Sequence, residues 1–86
     1  MPYGLAVLEK QLAILRAAKV GKRNTTLNRC AFIIAKHVAG GHINEGTARS
    51  ELEHAALVIG LSAWEIERTL DSAFAAVRVT GRVGQR

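Results

Sequence analysis

Eighty-six residues make one small domain, with room for a single modest core and none for a second domain or a large catalytic cleft. A composition of 49% hydrophobic and 22% charged residues, with one proline, excludes a disordered chain and fits a folded, largely helical one. The net charge of +5 is uneven: residues 1–43 carry Lys10, Arg16, Lys19, Lys22, Arg23, Arg29 and Lys36 against Glu9 alone, whereas five arginines face six carboxylates in the remainder, so only the first half should attract polyanions.

A 3.6-residue apolar period recurs in four segments, and no segment alternates as a strand would. In the first, Leu5, Leu8, Leu12 and Leu15 share one face while Glu9, Lys10, Gln11 and Arg16 take the other; Gly21 is the expected stop. The next stretch, Gly21 to Asn28, gathers two cations and two side-chain amides at the entrance of the second helix. A helix N-terminus offers unsatisfied N–H groups and partial positive charge, so an anion meeting Lys22 and Arg23 there would find donors aimed at it. A purely local role is equally open to these residues, with Asn24 or Thr25 as the N-cap. In that role aspartate should replace Asn24 without loss of stability.

The second helix places Leu27, Ala31, Ile34, Ala35 and Val38 on one face and ends at Gly40-Gly41. Phe32 and Ile33 lie off that face, so it should be the most buried of the four. Asn44 caps a third helix with an Ala48, Leu52, Ala55, Ala56, Ile59 stripe that stops at Gly60. Ser62-Ala63-Trp64-Glu65 is a capping-box pattern, in which hydroxyl and carboxylate each accept from the other residue's amide. The fourth helix follows with Ile66, Leu70, Ala73, Phe74 and Val77, and Trp64 in its first turn is expected to close over the core. The expected fold is all-α, a compact orthogonal bundle of about four helices over residues 1–79, with a basic tail at 80–86.

Cys30, the single cysteine, excludes an internal disulfide, and no Cys/His set has zinc spacing; packed helices must supply the stability, and a cytoplasmic location is expected. Charges interrupt every apolar run well short of the roughly 18 to 20 residues of a membrane span, and the N-terminus lacks the pattern of a signal peptide. An enzyme is not expected. His37, His42 and His54 lie on different expected elements, Cys30 has no base near it in sequence, and the pairs Glu51/Glu53 and Glu65/Glu67 point apart on their helices. No metal or cofactor is expected either. The Ala55–Ser62 stretch followed by Ile66 has the form of a helix-turn-helix. Its second helix, however, carries Glu65, Glu67 and Asp71 around Arg68, the wrong sign for a groove lined by phosphates.

Taken in order, Gly21-Lys22-Arg23-Asn24-Thr25-Thr26-Leu27-Asn28, Ala31-Phe32, Val38-Ala39-Gly40-Gly41, Leu52-Glu53-His54-Ala55-Ala56, Gly60-Leu61-Ser62, Glu65 and Thr69-Leu70-Asp71-Ser72 resemble the helical domain of phage and plasmid replication proteins. In that family the domain accompanies a primase-polymerase, Toprim-type primase or helicase domain. Its C-terminal glycines and Pro-Arg pair are absent here, where Ala73, Val77 and Arg78 stand instead. The resemblance implies a non-catalytic role in primer synthesis, with single-stranded DNA template or initiating nucleotide as ligand and primase or helicase domains of the same system as further partners. Arg23, Asn24 and Asn28 are its signature positions. With the charge asymmetry they give Lys19, Lys22, Arg23, Asn24, Asn28 and Arg29 as the candidate nucleic-acid- or nucleotide-binding residues. Two readings stay open for Arg23 and Asn24: contact with ligand, or fixing the loop against the fourth helix through Glu65, Asp71 or backbone carbonyls. Two other functions stand beside the first: a protein-docking module that uses Phe32, Ile33 or Leu57, and a free-standing phage regulator of host replication.

Overall fold

Apolar side chains three and four residues apart fall on one face of a helix, and four such faces close on one another here. The computed structural model describes residues 3–84, with side chains as far as Arg78. Its helices are α1 (Tyr3–Arg16), α2 (Arg23–Ala39), α3 (Glu45–Val58) and α4 (Ala63–Gly84), and there is no strand among the described residues. The fold is an all-α bundle. One core takes Leu8, Leu12 and Leu15 from α1, Leu27, Cys30 and Ile34 from α2, Leu52 and Ala56 from α3, and Ile66, Leu70 and Phe74 from α4. Truncating a fully buried member such as Leu70 to Ala would cost about 2–5 kcal/mol.

The tightest pairing is α2 on α4, and α1 does not meet α4 among the described residues. The α2–α3 pair therefore occupies the middle of the bundle. That placement brings the start of α2 and the start of α4 together, although 41 residues separate Asn24 from Glu65. A radius of gyration of 12.3 Å, against about 12 Å for a compact chain of this length, fits closure as one unit.

Several boundaries differ from the sequence expectation. The first helix ends at Arg16 rather than at Gly21, because nothing beyond Leu15 returns to the core and the last turn tightens: Ala18 N–H donates to Leu15 C=O at 3.0 Å. Its buried stripe runs Gly4, Leu8, Gln11, Leu12, Leu15, leaving Leu5 exposed. Gly4 holds the first slot because the backbone of the α2–α3 loop crosses there, and a Cβ at Gly4 would fall on the carbonyl of His42. The second helix starts at Arg23 with Lys22 as N-cap, so neither Asn24 nor Thr25 caps it. Phe32 reaches the surface and Ile33 is half-buried, so the second apolar side of α2 is only partly covered. The fourth helix takes in residues 80–84 of the stretch expected as a tail, there being no proline to stop it; residues 85 and 86 lie outside the described residues.

Three expected boundaries are present: α2 closes at Gly40-Gly41, where Gly41 adopts φ +82°, and the other two frame α3. Asn44 Oδ1 accepts from Thr47 N–H at 2.9 Å and opens α3. At its far end Gly60 adopts φ +102°, with Leu61 N–H bonding Ala56 C=O and Gly60 N–H bonding Leu57 C=O, the paired closure that needs a left-handed residue.

Candidate functional site

Asn24 and Asn28 stand four residues apart on α2 and so share a face, and that face looks onto α4. Opposite them Glu65, Thr69 and Ser72 recur at four- and three-residue steps, a polar stripe on an otherwise amphipathic helix. Between the two lies an open cleft of about 520 Å3, with Ser62 at its end and Trp64 and Arg68 on its rim. The cleft is built by the α2–α4 packing alone; no local stretch of chain contains it.

Its polar groups are organised around Asn24. The amide nitrogen Nδ2 donates to Glu65 Oε2 and to Thr69 Oγ1, both at 3.1 Å. An ionised carboxylate only accepts, so this contact fixes which end of the Asn24 amide faces α4 and leaves its Oδ1 free to accept. The Glu65 backbone N–H donates to Ser62 Oγ at 3.1 Å, which is half of the expected capping box. The other half is not made: the Glu65 carboxylate is turned to Asn24 instead of to the Ser62 amide. Asn24 does not cap α2 because it lies in the first turn, two residues past the N-cap Lys22.

Trp64 does not cover the core. It is 68% exposed, and the Arg68 guanidinium lies 4.8 Å from its ring centroid, a cation–π stack between residues four apart. The Arg68 charge therefore sits over an indole at the rim of the cleft despite the acidic residues near it in sequence.

The six candidate residues divide into three groups. Asn24 and Asn28 line the cleft. Lys19, Lys22 and Arg29 are exposed, and none forms an ion pair among the described residues. Arg23 turns inward: it is half-buried, its Nε is buried without a hydrogen-bond partner, and a Cβ on Gly60 would lie 3.2 Å from its Nη1. Arg23 thus braces the start of α2 against the α3–α4 turn. In the second half of the chain Arg49 pairs with Asp71 at 2.7 Å and Arg78 with Glu45 at 3.2 Å, both exposed enough to be worth little to stability. Their consequence is electrostatic. Pairing engages Arg49 on α3 and Arg78 on α4, so among the described residues the unpaired positive charge lies on α1, α2 and the turn between them, and at Arg68.

Six groups that line the cleft, Ser62, Trp64, Glu65, Arg68, Thr69 and Ser72, are absent from the candidates read from the sequence. The signal available for them was the polar stripe at positions 65, 69 and 72, on a helix whose net charge argued against a phosphate groove. Elsewhere, burial pushes the Cys30 thiol up, with Arg29 opposing, and its Sγ donates to the Gln11 carbonyl at 3.4 Å, which makes it a poor nucleophile. His37 and His42, expected on separate elements, come within 6.0 Å of each other, with Tyr3 edge-on to both. No group of three His, Cys, Asp or Glu able to hold a metal ion occurs among the described residues, and none of their helices is long and apolar enough to cross a membrane.

No protein-family model, curated protein or solved structure matches the chain.

Proposed function

We propose that this chain is a non-catalytic helical module that binds single-stranded DNA, or the nucleotide that starts a strand, within the replication primase or helicase machinery of a mobile element. The observation that carries the binding part is the α2–α4 cleft. There an exposed indole, a carboxylate held by Asn24 and two side-chain amides meet, and the first half of the chain exposes the unpaired cations Lys19, Lys22 and Arg29. Single-strand binding needs two things: cations that follow the backbone and a flat side chain on which a base can stack. The cations contribute sequence-independent attraction, and Trp64 with its stacked Arg68 offers the platform. The assignment to a replication system rests on the sequence resemblance, of whose polar positions Asn24, Asn28, Ser62, Glu65, Thr69 and Ser72 line this one cleft while Arg23 turns to the α3–α4 turn.

The test is binding of a labelled mixed-sequence single-stranded oligonucleotide to the isolated chain across a salt series. With three cations engaged, log K should fall against log salt with a slope of about −2, from about −0.7 per phosphate neutralised on a single strand. Changing Lys22 and Arg29 together to Ala should weaken binding and flatten that slope, with the helical signal unchanged. Trp64 is the single tryptophan, so quenching of its fluorescence reports the cleft directly.

A docking role has one observation in its favour, the exposure of Leu57 (51%) and Val58 (68%) at the end of α3. Absence of oligonucleotide binding at low salt would favour it.

A further inference from the structure

The cleft deepens the preceding proposal, on which this inference rests, because one carboxylate is held at its centre. Asn24 spends its amide donors on Glu65 and Thr69, and Ser62 Oγ already accepts from Glu65 N–H. The charged acceptor is therefore the Glu65 carboxylate, held in place by Asn24, with Asn24 Oδ1 beside it; the Ser62 and Thr69 hydroxyls keep their O–H donors. A carboxylate repels phosphate, so the backbone of a bound strand belongs with exposed cations outside the cleft, and what enters is a planar group with donors along one edge.

We infer that the α2–α4 cleft is a base pocket selective for guanine, with the Glu65 carboxylate accepting from N1–H and the 2-amino group while the ring stacks at Trp64 and Arg68. Guanine presents two adjacent donors on its Watson–Crick edge. Adenine and cytosine each pair one donor with a ring-nitrogen acceptor, and thymine flanks its single N–H with two carbonyls, so each would set a lone pair against the carboxylate. A carboxylate oxygen has two acceptor sites, so Oε2 can keep Asn24 and still take a base donor. Asn28 and Ser72, on the two walls, can each donate or accept and suit the remaining edge of the base.

The experiment compares an oligothymidylate with the same strand carrying isolated guanines, read by Trp64 quenching and by a strand label at one salt concentration. The guanine strand should bind roughly 5- to 150-fold tighter, the discrimination of one bidentate side chain–base pair. Replacing guanine by hypoxanthine removes the 2-amino donor alone and should remove most of that gain, whereas 7-deazaguanine, altered on the opposite edge, should keep it. Glu65→Gln retains an oxygen for Asn24 and the backbone bond to Ser62, so the fold should hold, as circular dichroism would show, while the preference for guanine disappears. Equal, salt-dependent binding of the two strands would overturn guanine selectivity and leave the single-strand reading standing. Binding of neither strand would overturn both. Quenching by an arginine-bearing peptide without binding of either strand would give the cleft to a protein partner and likewise overturn the inference.

Discussion

Asn24 and Asn44 are the same residue type near the entrance of a helix, Asn44 at the N-cap of α3 and Asn24 in the first turn of α2, and they do opposite things. Asn44 turns its oxygen onto its own helix and accepts from Thr47 N–H at 2.9 Å. Asn24 turns its nitrogen onto another helix and donates to Glu65 and Thr69. Both contacts have ordinary geometry; what differs is the place and the neighbour. At Asn44, the N-cap, the side-chain oxygen reaches a local N–H. At Asn24, two residues past the N-cap Lys22, the packing of α2 on α4 delivers a carboxylate and the amide nitrogen donates to it. The start of α2 is left without a side-chain cap, and the groups at the centre of the cleft are fixed in place.

Substitutions at the two asparagines break this contrast in a set order. Asn24→Asp should be the most damaging, by about 1–2 kcal/mol, because it replaces a donor to Glu65 with a second carboxylate, offset in part by the positive end of α2. In a domain this size that lowers Tm by at least about 4 °C. The deficit should shrink in acid, where one carboxyl of the new pair takes up a proton, and a urea titration repeated at neutral and acid pH checks the sign. A capping role predicts no loss for this substitution, so a neutral result would restore Asn24 to its local role. Asn24→Ala should cost about 1 kcal/mol by thermal unfolding, since the exposed contacts to Glu65 and Thr69 go but no repulsion replaces them.

At the other entrance, Asn44→Ala should cost about 1 kcal/mol, the loss of one cap, and Asn44→Asp should stay within about 0.5 kcal/mol of the parent, since aspartate caps as well and suits the positive helix end. The divergence of the two Asp substitutions is the sharpest measurement. A double-mutant cycle on Asn24 and Glu65 should show coupling of about 1 kcal/mol, whereas Asn44 and Glu65 should show none. The effect on stability of Lys22→Ala should be the smallest, within about 0.5 kcal/mol, because the side chain is exposed and caps nothing.

The four helices were legible in the sequence because apolar periodicity is a local property that survives into the packed state. Leu8, Leu12 and Leu15, Leu27 and Ile34, Leu52 and Ala56, and Ile66 and Leu70 are the core that their spacing indicates. Gly60 and Asn44 likewise act through their own turns and could be read where they stand. The positions that misled were those whose partners lie far along the chain. Gly4 answers to the His42 carbonyl, Arg23 to Gly60, and Asn24 to Glu65 and Thr69, and no window of neighbouring residues contains any of these pairs.

By itself, then, the sequence determined the helical class, the core residues and the excess of positive charge in the first half, because each follows from residue type and spacing summed over a segment. Tertiary structure alone decided that the polar faces of α2 and α4 meet as a cleft, that Trp64 stays at its rim and that Arg23 is spent on a turn. A hydrogen bond or a stack goes to whichever partner packing brings within about 3 Å or 5 Å, and that choice is made by the whole chain at once.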